Sequence, residues 1–399
     1  MHARRRTALI ALAGAGLLVL SACGGSSGGT KAGGAPAVPK LATQQSVGPG
    51  EGELDLVNWA GYAEDGTNDK TVDWVHPFEK LTGCKVNDKV GNTSDEMVTL
   101  MKSGQYDGVS ASGDATLRLV YGGLVAPVNT ALVPNYATVQ DFLKNRPWNS
   151  VGPQMYGIPH GWGANLLMWN TKAVSPAPTS WDVVFDPASP YKGKVTGYDS
   201  PIYIADAALY LMRHKPELKI TNPYALDATQ LAAAITLLKA QRSVVGEYWA
   251  DYTKEVQAFE SGNSVVGTTW QVIDNLVTSD KKASVQAIVP SEGATGWSDT
   301  WMVAAHAKHP NCMYKWMDWI TSAKVNAQVA EWFGEAPAQS LACAQTSDKS
   351  FCDTYHAADK AYSDKIFYWT TPTTHCLDGR GNTCTDYATW TQQWTAVKG

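Results

Sequence analysis

The chain has 399 residues, 44% of them hydrophobic, and a formal net charge of −5 at pH 7. A chain of this length can build one large domain or two ordinary ones around a real core. The acidic balance argues against a nucleic-acid partner, which needs a basic surface, and favours small cations near the protein.

The first 22 residues have the composition of a bacterial export signal. Three arginines at 4–6 precede an apolar stretch at 7–19, which is too short to remain as a membrane-spanning helix. The string Leu-Ser-Ala-Cys at 20–23 then matches a bacterial lipobox. We therefore expect cleavage after residue 22, a lipid on Cys23, and a net charge of −8 once the three arginines are lost. The mature protein would be held by lipid alone at the outer face of the cytoplasmic membrane.

Residues 23–52 are rich in Gly, Ser, Ala and Pro and contain almost no large side chains. Such a composition is typical of a flexible tether. We predict that folding begins at Glu53.

Six cysteines besides Cys23 suggest disulfides, since an even number outside the cytoplasm is usually paired. Six cysteines allow 15 pairings, but Cys343 with Cys352 and Cys376 with Cys384 are close in sequence. We expect these two short loops, which leaves Cys84 to pair with Cys312.

The elements after Glu53 alternate between strands and helices. A strand at 53–59 precedes apolar residues at helical spacing over 72–81, and Gly83 is placed to end that helix. A strand at 85–90 follows, and then Thr93 and Glu96 form a capping box for the next helix.

The same alternation continues to residue 304. We predict strands at 108–111, 156–158, 166–169, 195–198, 264–269, 285–289 and 300–304, with helices at 205–213, 229–240 and, last, 314–320. Strands that alternate with helices predict an α/β fold.

Sixteen tryptophans are more than the core of such a chain requires. Trp59, Trp162, Trp270 and Trp297 lie in small or polar contexts at predicted strand ends, where open α/β sheets bind ligands. Trp316, Trp319 and Trp332 are expected to pack within the structure.

Indole faces attract ammonium groups and cover methylenes at the same time. Asp199 and Asp299 could add charge-assisted hydrogen bonds at defined points along a cationic ligand. Aromatic walls with acidic ends therefore favour a diamine pocket.

The order of elements and several local strings resemble the periplasmic spermidine/putrescine-binding proteins over nearly the whole mature chain. The strings are Asn58-Trp-x-x-Tyr62, the Trp162 segment before residues 166–170, Trp270 after a strand, and Trp297-x-Asp299 before residues 300–304. The resemblance implies that Trp59, Tyr62, Trp270 and Trp297 surround an alkyl amine. It also implies that Asp299 holds one terminal ammonium and Asp199 an inner or distal one.

The resemblance further implies a two-lobed periplasmic-binding-protein fold of type II, with ligand in the cleft between the lobes. The first lobe would comprise 53–160 and 298–340, and the second 161–297 and 341–399. Hinge closure around the ligand would be read by the permease of an ABC importer, which works with a cytoplasmic ATPase. We expect a monomer without a cofactor or metal.

Three departures from the family pattern widen the choice of ligand. Gly61 and Ile202 stand where the family has acids, and Glu335 replaces an expected tyrosine after Gly334. Fewer matched carboxylates leave putrescine, a quaternary amine and a cationic amino acid open, with Glu335 as a compensating acid. Ser112 and Asp114 complete the expected ligand-binding residues.

Two further segments have the spacing of metal sites, and each has a feature that argues against metal binding. His306, His309 and Cys312 have metal-like spacing but fall where a strand leads into a surface helix. Residues 378–382 suggest a calcium loop, except that Arg380 occupies a ligand position.

A surface-anchored polysaccharide hydrolase is the rival from another class, since Asp199 and Asp299 could act as acid and base. Receptors for sugars or for other amino acids stay open as well.

Overall fold

The computed structural model describes residues 36–399. The predicted signal peptide, the predicted lipidation site Cys23 and the first part of the predicted tether lie outside these residues. Within the described part of the chain, none of the helices combines the length and apolar composition needed to cross a bilayer.

The strands form two main sheets and one short hairpin. They are β1 Glu53–Asn58, β2 Lys85–Val90, β3 Gly108–Ala111, β4 Ser150–Val151, β5 Gln154–Met155, β6 Ile158–Ala164, β7 Leu166–Asn170, β8 Val195–Tyr198, β9 Val245–Trp249, β10 Val266–Thr269, β11 Val285–Ile288, β12 Ala294–Val303, β13 Ala336–Pro337 and β14 Ile366–Tyr368.

Helices alternate with these strands, as the sequence predicts. They are α1 Val75–Thr82, α2 Ser94–Met101, α3 Gly113–Tyr121, α4 Asp182–Phe185, α5 Ile204–His214, α6 Ala228–Gln241, α7 Tyr252–Ser261, α8 Gln271–Asp280, α9 Pro310–Ile320, α10 Ala323–Phe333, α11 Phe351–Thr354, α12 Lys360–Ser363 and α13 Tyr387–Lys398.

The first sheet has the order β13-β6-β12-β3-β1-β2, with β14 paired to β12. β1 runs parallel to β2 and β3, and β12 runs antiparallel to β3 and β6. All ten residues of β12 are buried, so this strand lies in the middle of the molecule. We call the layers around this sheet the first lobe.

The second sheet has the order β11-β7-β10-β8-β9, and we call the layers around it the second lobe. β8 runs parallel to β9 and β10, and β7 runs antiparallel to β10 and β11. Its core is aliphatic and aromatic, with Phe185 and Tyr203 stacked at a ring distance of 5.9 Å. Two mixed sheets of this kind confirm the predicted α/β class.

The chain passes between the sheets at Asn165 and again over residues 289–293. Residues 161–164 and 294–297 are therefore strands of the first sheet, although the sequence suggested that they begin and end the second lobe. The C-terminal segment 341–399 also differs from expectation, because β14 joins the first sheet whereas α13 packs against α6 of the second lobe. The predicted lobe boundaries otherwise stay predictions.

The end of the predicted tether is fixed to the first lobe. The carboxylate of Glu51 accepts hydrogen bonds from the backbone N–H groups of Asn311 and Cys312, both at 2.9 Å. The carboxylate thus accepts hydrogen bonds from backbone N–H groups in the first turn of α9, which have no partner within the helix. The backbone N–H of Gly48 donates to Asn311 Oδ1 at 2.8 Å. These contacts explain why the ordered structure extends several residues before Glu53.

All three predicted disulfides are present. They join Cys84 to Cys312, Cys343 to Cys352 and Cys376 to Cys384. The first spans 228 residues of sequence and ties the start of β2 to α9. With Cys312 in this bond, the set His306, His309 and Cys312 has no thiolate to offer a metal ion.

Local helix signals are also reproduced with one difference. Gly83 ends α1 in the left-handed conformation, with φ of 73°. The hydroxyl of Thr93 accepts from the backbone N–H of Glu96 at 3.1 Å, as a capping residue should. The carboxylate of Glu96, however, accepts from the backbone N–H of Asn92 and not from that of Thr93.

Candidate ligand-binding site

A small cavity of about 30 Å³ lies where the two sheets face each other. We call it the inner cavity, and its walls are Trp59, Ser112, Tyr198, Trp270, Trp297, Asp299, Phe333 and Trp369. Four of these residues lie at or just after the carboxyl ends of β1, β3, β8 and β10. Ligands of open α/β sheets bind at this edge.

Asp299 provides the carboxylate of the inner cavity and is 2% exposed. Its Oδ1 accepts a hydrogen bond from Ser112 Oγ at 2.5 Å, and its Oδ2 accepts one from the Tyr62 hydroxyl at 2.7 Å. The pairing of β12 with β6 shifts register between Asp299 and Thr300. Such irregularities re-aim side chains beside functional sites.

Tyr62 joins Asp299 to a second buried acid. The Tyr62 hydroxyl lies 2.8 Å from Oε2 of Glu335, which is fully buried. Oε1 of Glu335 lies 3.6 Å from Nδ1 of His160, and Nε2 of that ring lies 2.8 Å from Ser110 Oγ. A continuous polar chain therefore runs from the inner cavity into the first lobe.

In this polar chain the carboxyl groups of Asp299 and Glu335 share a single hydrogen-bond donor between them, the Tyr62 hydroxyl. The Tyr62 hydroxyl has one hydrogen and can donate it to one carboxylate at a time, yet it touches both Asp299 and Glu335. When both acids are ionised, one short oxygen-oxygen contact has no hydrogen between its atoms. A further proton or a cation near Asp299 would relieve this repulsion.

The pKa values of the site follow from its burial. Burial raises the pKa of Asp299 to about 6, although His160 and the hydrogen bond from Ser112 act in the opposite direction. Burial, together with the charges of Asp299 and Glu335, holds the pKa of Tyr62 well above its usual value. Asp299 is therefore mainly ionised at neutral pH.

Aromatic rings form the rest of the inner cavity. Trp270 and Trp297 meet edge to face at a centroid distance of 6.3 Å, and Tyr198 stacks on Trp369 at 5.5 Å. The Trp270 indole N–H donates to Asn165 Oδ1 at 2.9 Å, which ties this wall to the crossing between the lobes. Such rings cover methylene groups and attract cations.

Glycines in β6 make room for the acid and the indole. A Cβ on Gly161 would lie 1.9 Å from the Glu335 carboxyl carbon, and one on Gly163 would lie 2.7 Å from the Trp297 ring. Side chains alternate along a strand, so Trp162 between them points away from Glu335 and Trp297. It is fully buried and packs edge to face on Phe142 at 5.5 Å.

Of the ten predicted ligand-binding residues, the structure brings five to the inner cavity: Trp59, Ser112, Trp270, Trp297 and Asp299. Tyr62 and Glu335 lie directly behind Asp299 in the polar chain. Trp162, Asp114 and Asp199 are outside it.

Asp199 is engaged elsewhere. Both its oxygens accept from Lys398 Nζ, at 2.7 and 2.9 Å, and Oδ1 also accepts from the Trp394 indole at 3.2 Å. These partners belong to α13, which the sequence did not connect with β8. Asp114 is buried and accepts from Ser94 Oγ at 2.8 Å, and burial raises its pKa to about 7.

Sequence reasoning missed Tyr198, Phe333, Trp369 and His160. Tyr198 and Trp369 are aromatic residues at strand ends, which is the signal that found the other tryptophans. Tyr198 directly precedes Asp199, and the two residues face opposite ways. Phe333 and His160 carried no comparable sequence signal.

The two-lobed fold and its enclosed acidic and aromatic cavity define a substrate-binding protein. The sequence matches the family described as bacterial extracellular solute-binding protein over residues 73–350. That match covers more than half of the chain, so the chain belongs to this family.

Its relatives include polyamine-binding proteins. The chain is 24% identical over 285 residues to the spermidine/putrescine-binding periplasmic protein of Escherichia coli, covering 70% of this chain and 76% of that protein. It is 22% identical over 310 residues to the putrescine-binding periplasmic protein PotF of Escherichia coli, covering 74% and 79%.

A solved structure confirms the predicted fold. The spermidine/putrescine ABC transporter substrate-binding protein PotD of Streptococcus pneumoniae has a TM-score of 0.66 at 16% identity, covering 87% of this chain and 99% of that one. By its family the chain is an extracellular solute-binding protein and not the hydrolase that the sequence left open as an alternative.

Proposed function

We propose that the inner cavity binds an ammonium group of a small alkyl amine, of the putrescine or spermidine class. The observation that carries the proposal is Asp299, a buried carboxylate with no Lys or Arg ion pair in the described residues, set among indole rings. A buried charge of this kind is costly unless it is paired. An ammonium group would supply both the charge and the hydrogen-bond donors.

The surroundings of Asp299 favour a cation over a sugar or an anion. Glu335 places a second carboxyl group behind Asp299 through Tyr62, so a carboxylate ligand would face two acids. Trp59, Trp270 and Trp297 would cover the methylenes beside the ammonium, each cation contact contributing about 0.5–2 kcal/mol. The names of the relatives in Escherichia coli agree with this ligand class.

In this proposal the protein delivers the amine to an ABC permease after the lobes close on it. Trp297 and Asp299 on β12 and Trp270 after β10 come from different sheets, so one ligand would bridge the lobes and favour the closed form. Lipidation of Cys23 would keep the receptor at the outer face of the cytoplasmic membrane. The ligand would be released unchanged.

Tryptophan fluorescence provides the test. The wild-type protein is titrated with putrescine, spermidine, betaine, arginine and maltose, and the bound compound is recovered and analysed after long incubation. We expect saturable binding of the amines, weaker or no binding of maltose, and no chemical conversion. Saturable binding of maltose without binding of any amine would contradict the proposal.

A further inference from the structure

A second and larger cavity adjoins the inner one. It measures about 480 Å³ and shares Trp270 and Phe333 with the inner cavity. We call it the outer groove. Residues 60–68 of the first lobe form one wall, and Tyr252 and residues 272–276 of the second lobe form the other.

The outer groove gathers exposed apolar side chains. Among residues 36–399, five large hydrophobic side chains are exposed, and three of them line this groove: Tyr252, Leu276 and Trp332. Trp332 is 39% exposed, contrary to the expectation that it packs within the structure. Contiguous exposed apolar surface of this kind usually marks a binding site.

A buried carboxylate lies in the same groove. Glu64 is 4% exposed, and both its oxygens contact Nδ2 of Asn68, at 3.1 and 2.9 Å. In the described part of the chain it forms no ion pair with Lys, Arg or His. A carboxylate can accept about four hydrogen bonds, so Glu64 retains capacity for a cationic donor.

The backbone at Gly61, three residues before Glu64, has a conformation that leaves room for two aromatic rings of the outer groove. Gly61 has φ of 96°, and a Cβ there would lie 3.3 Å from the Phe333 ring and 3.5 Å from Trp332. A larger residue at 61 would be strained and would crowd both rings. The acid on this wall stands three residues later, at Glu64.

We propose that the outer groove is a second amine subsite, in which Glu64 accepts another ammonium group of the ligand bound at Asp299. Trp332 and Tyr252 cover the methylenes of that part of the ligand. This inference rests on the proposed function, and it makes the ligand a dication or longer polycation that runs past Trp270 and Phe333.

The volumes of the two cavities support an inner site for one ammonium group and an outer site for the rest of the ligand. The inner cavity of about 30 Å³ has room for one small group, since a cavity needs about 10–15 Å³ to hold one water molecule. The outer groove of about 480 Å³ can hold an alkyl chain. A ligand with one end at Asp299 therefore extends naturally toward Glu64.

The experiment compares a monoamine with a triamine. Calorimetric titrations with n-butylamine and spermidine are run on wild type, Glu64→Gln and Trp332→Ala. The Gln side chain removes the charge, keeps its size and retains one acceptor oxygen for the Asn68 amide. We expect wild type to bind spermidine at least tenfold more tightly than n-butylamine, and Glu64→Gln to lose that advantage with n-butylamine affinity unchanged.

Asp65→Asn is the matched control, because Asp65 is an exposed acid in the same loop and its loss changes the net charge equally. It should leave both affinities unchanged. Equal n-butylamine and spermidine affinities in wild type would overturn the second subsite and leave the proposed function intact. Absence of any amine binding would remove both. Normal spermidine affinity in Trp332→Ala and Glu64→Gln, with slower uptake in cells, would make the groove a permease contact instead.

Discussion

The hydroxyl of Ser112 lies 2.5 Å from Oδ1 of Asp299 although 187 residues separate the two in sequence. Strand register explains the contact. Ala111 at the end of β3 pairs with Thr300 of β12, so the residue after Ala111 and the residue before Thr300 meet at the same edge. The hydrogen bond therefore forms because two strands of the first sheet are correctly paired, and it orients the carboxylate toward the inner cavity.

Asp299→Asn should weaken binding of putrescine by roughly 10- to 100-fold, because a charge-assisted hydrogen bond contributes about 1.5–3 kcal/mol. Asn keeps one acceptor oxygen for Ser112 or Tyr62, and its amide N–H can donate to the other hydroxyl oxygen, so the thermal midpoint should change little. Fluorescence titration measures the first effect and thermal denaturation the second. Asp199→Asn is the control and should keep full affinity, since Asp199 pairs with Lys398. The opposite ranking of these two variants would move the site to the second lobe.

Affinity for n-butylamine should fall as the pH is lowered from 7.5 to 5. The pKa of Asp299 is raised to about 6 by burial, so acid removes the negative charge that holds the ammonium. The loss approaches about tenfold per pH unit below the pKa of the ligand-free protein and levels off below the lower pKa of the complex. Glu335, His160 and Tyr62 also face this carboxylate, so Asp299→Asn must be titrated alongside. A pH profile that is identical in the wild type and the variant would contradict the assignment.

The raised pKa of Asp299 should lower the stability of the ligand-free protein as the pH rises, whereas it strengthens amine binding as the pH rises. The folded protein holds the Asp299 proton more tightly than the unfolded chain, whose pKa is near 3.8. The contribution of Asp299 to the free energy of unfolding therefore decreases as the pH rises from about 4 to about 6. In the absence of ligand, Asp299→Asn should remove this part of the pH dependence, as urea unfolding at several pH values can measure.

Local patterns predicted most of the fold. Apolar periodicity located α5 and α6 within one residue at either end, and close cysteine spacing found two disulfides. The order of the strands in each sheet could not be predicted from local patterns, because it depends on pairings such as β12 with β3 and β14. These join segments far apart in sequence.

In the candidate site, too, local signals were readable from the sequence and contacts between distant residues were not. Trp270, Trp297 and Asp299 were identified because aromatic and acidic residues at strand ends stand out in a sequence. Asp199 has the same local signal, but Lys398 at the end of the chain neutralises it. A partner 199 residues away cannot be inferred from the sequence around Asp199.

Removal of the Cys84–Cys312 disulfide should cost more stability than removal of Cys376–Cys384. The sequence separations are 228 and 8 residues, and a longer closed loop restricts the unfolded chain more. The double alanine variants should lose about 5 and about 2–3 kcal/mol respectively, on the loop-entropy account. Urea unfolding compares the two free energies. A larger loss for the short loop would show that strain or packing dominates over chain entropy.

Gly163→Ala should displace the Trp297 indole, because Gly163 of β6 packs directly against that ring. The added methyl would lie 2.7 Å from the indole ring, and such overpacking costs about 1–3 kcal/mol. We expect a lower free energy of unfolding, a shifted tryptophan emission and weaker amine binding. Gly48→Ala is the control, because a Cβ there makes ordinary contact at 3.6 Å. Wild-type behaviour of Gly163→Ala would contradict the close packing of β6 on Trp297.

Calorimetric titration of the wild-type protein with n-butylamine and with its uncharged counterpart n-butanol isolates the charge from the alkyl chain. If Asp299 is the anchor for a positive group, n-butylamine binds saturably at one site and n-butanol binds at least tenfold more weakly. Equal affinities for the two compounds, or binding of the alcohol alone, would mean that the cavity recognises something other than a cation.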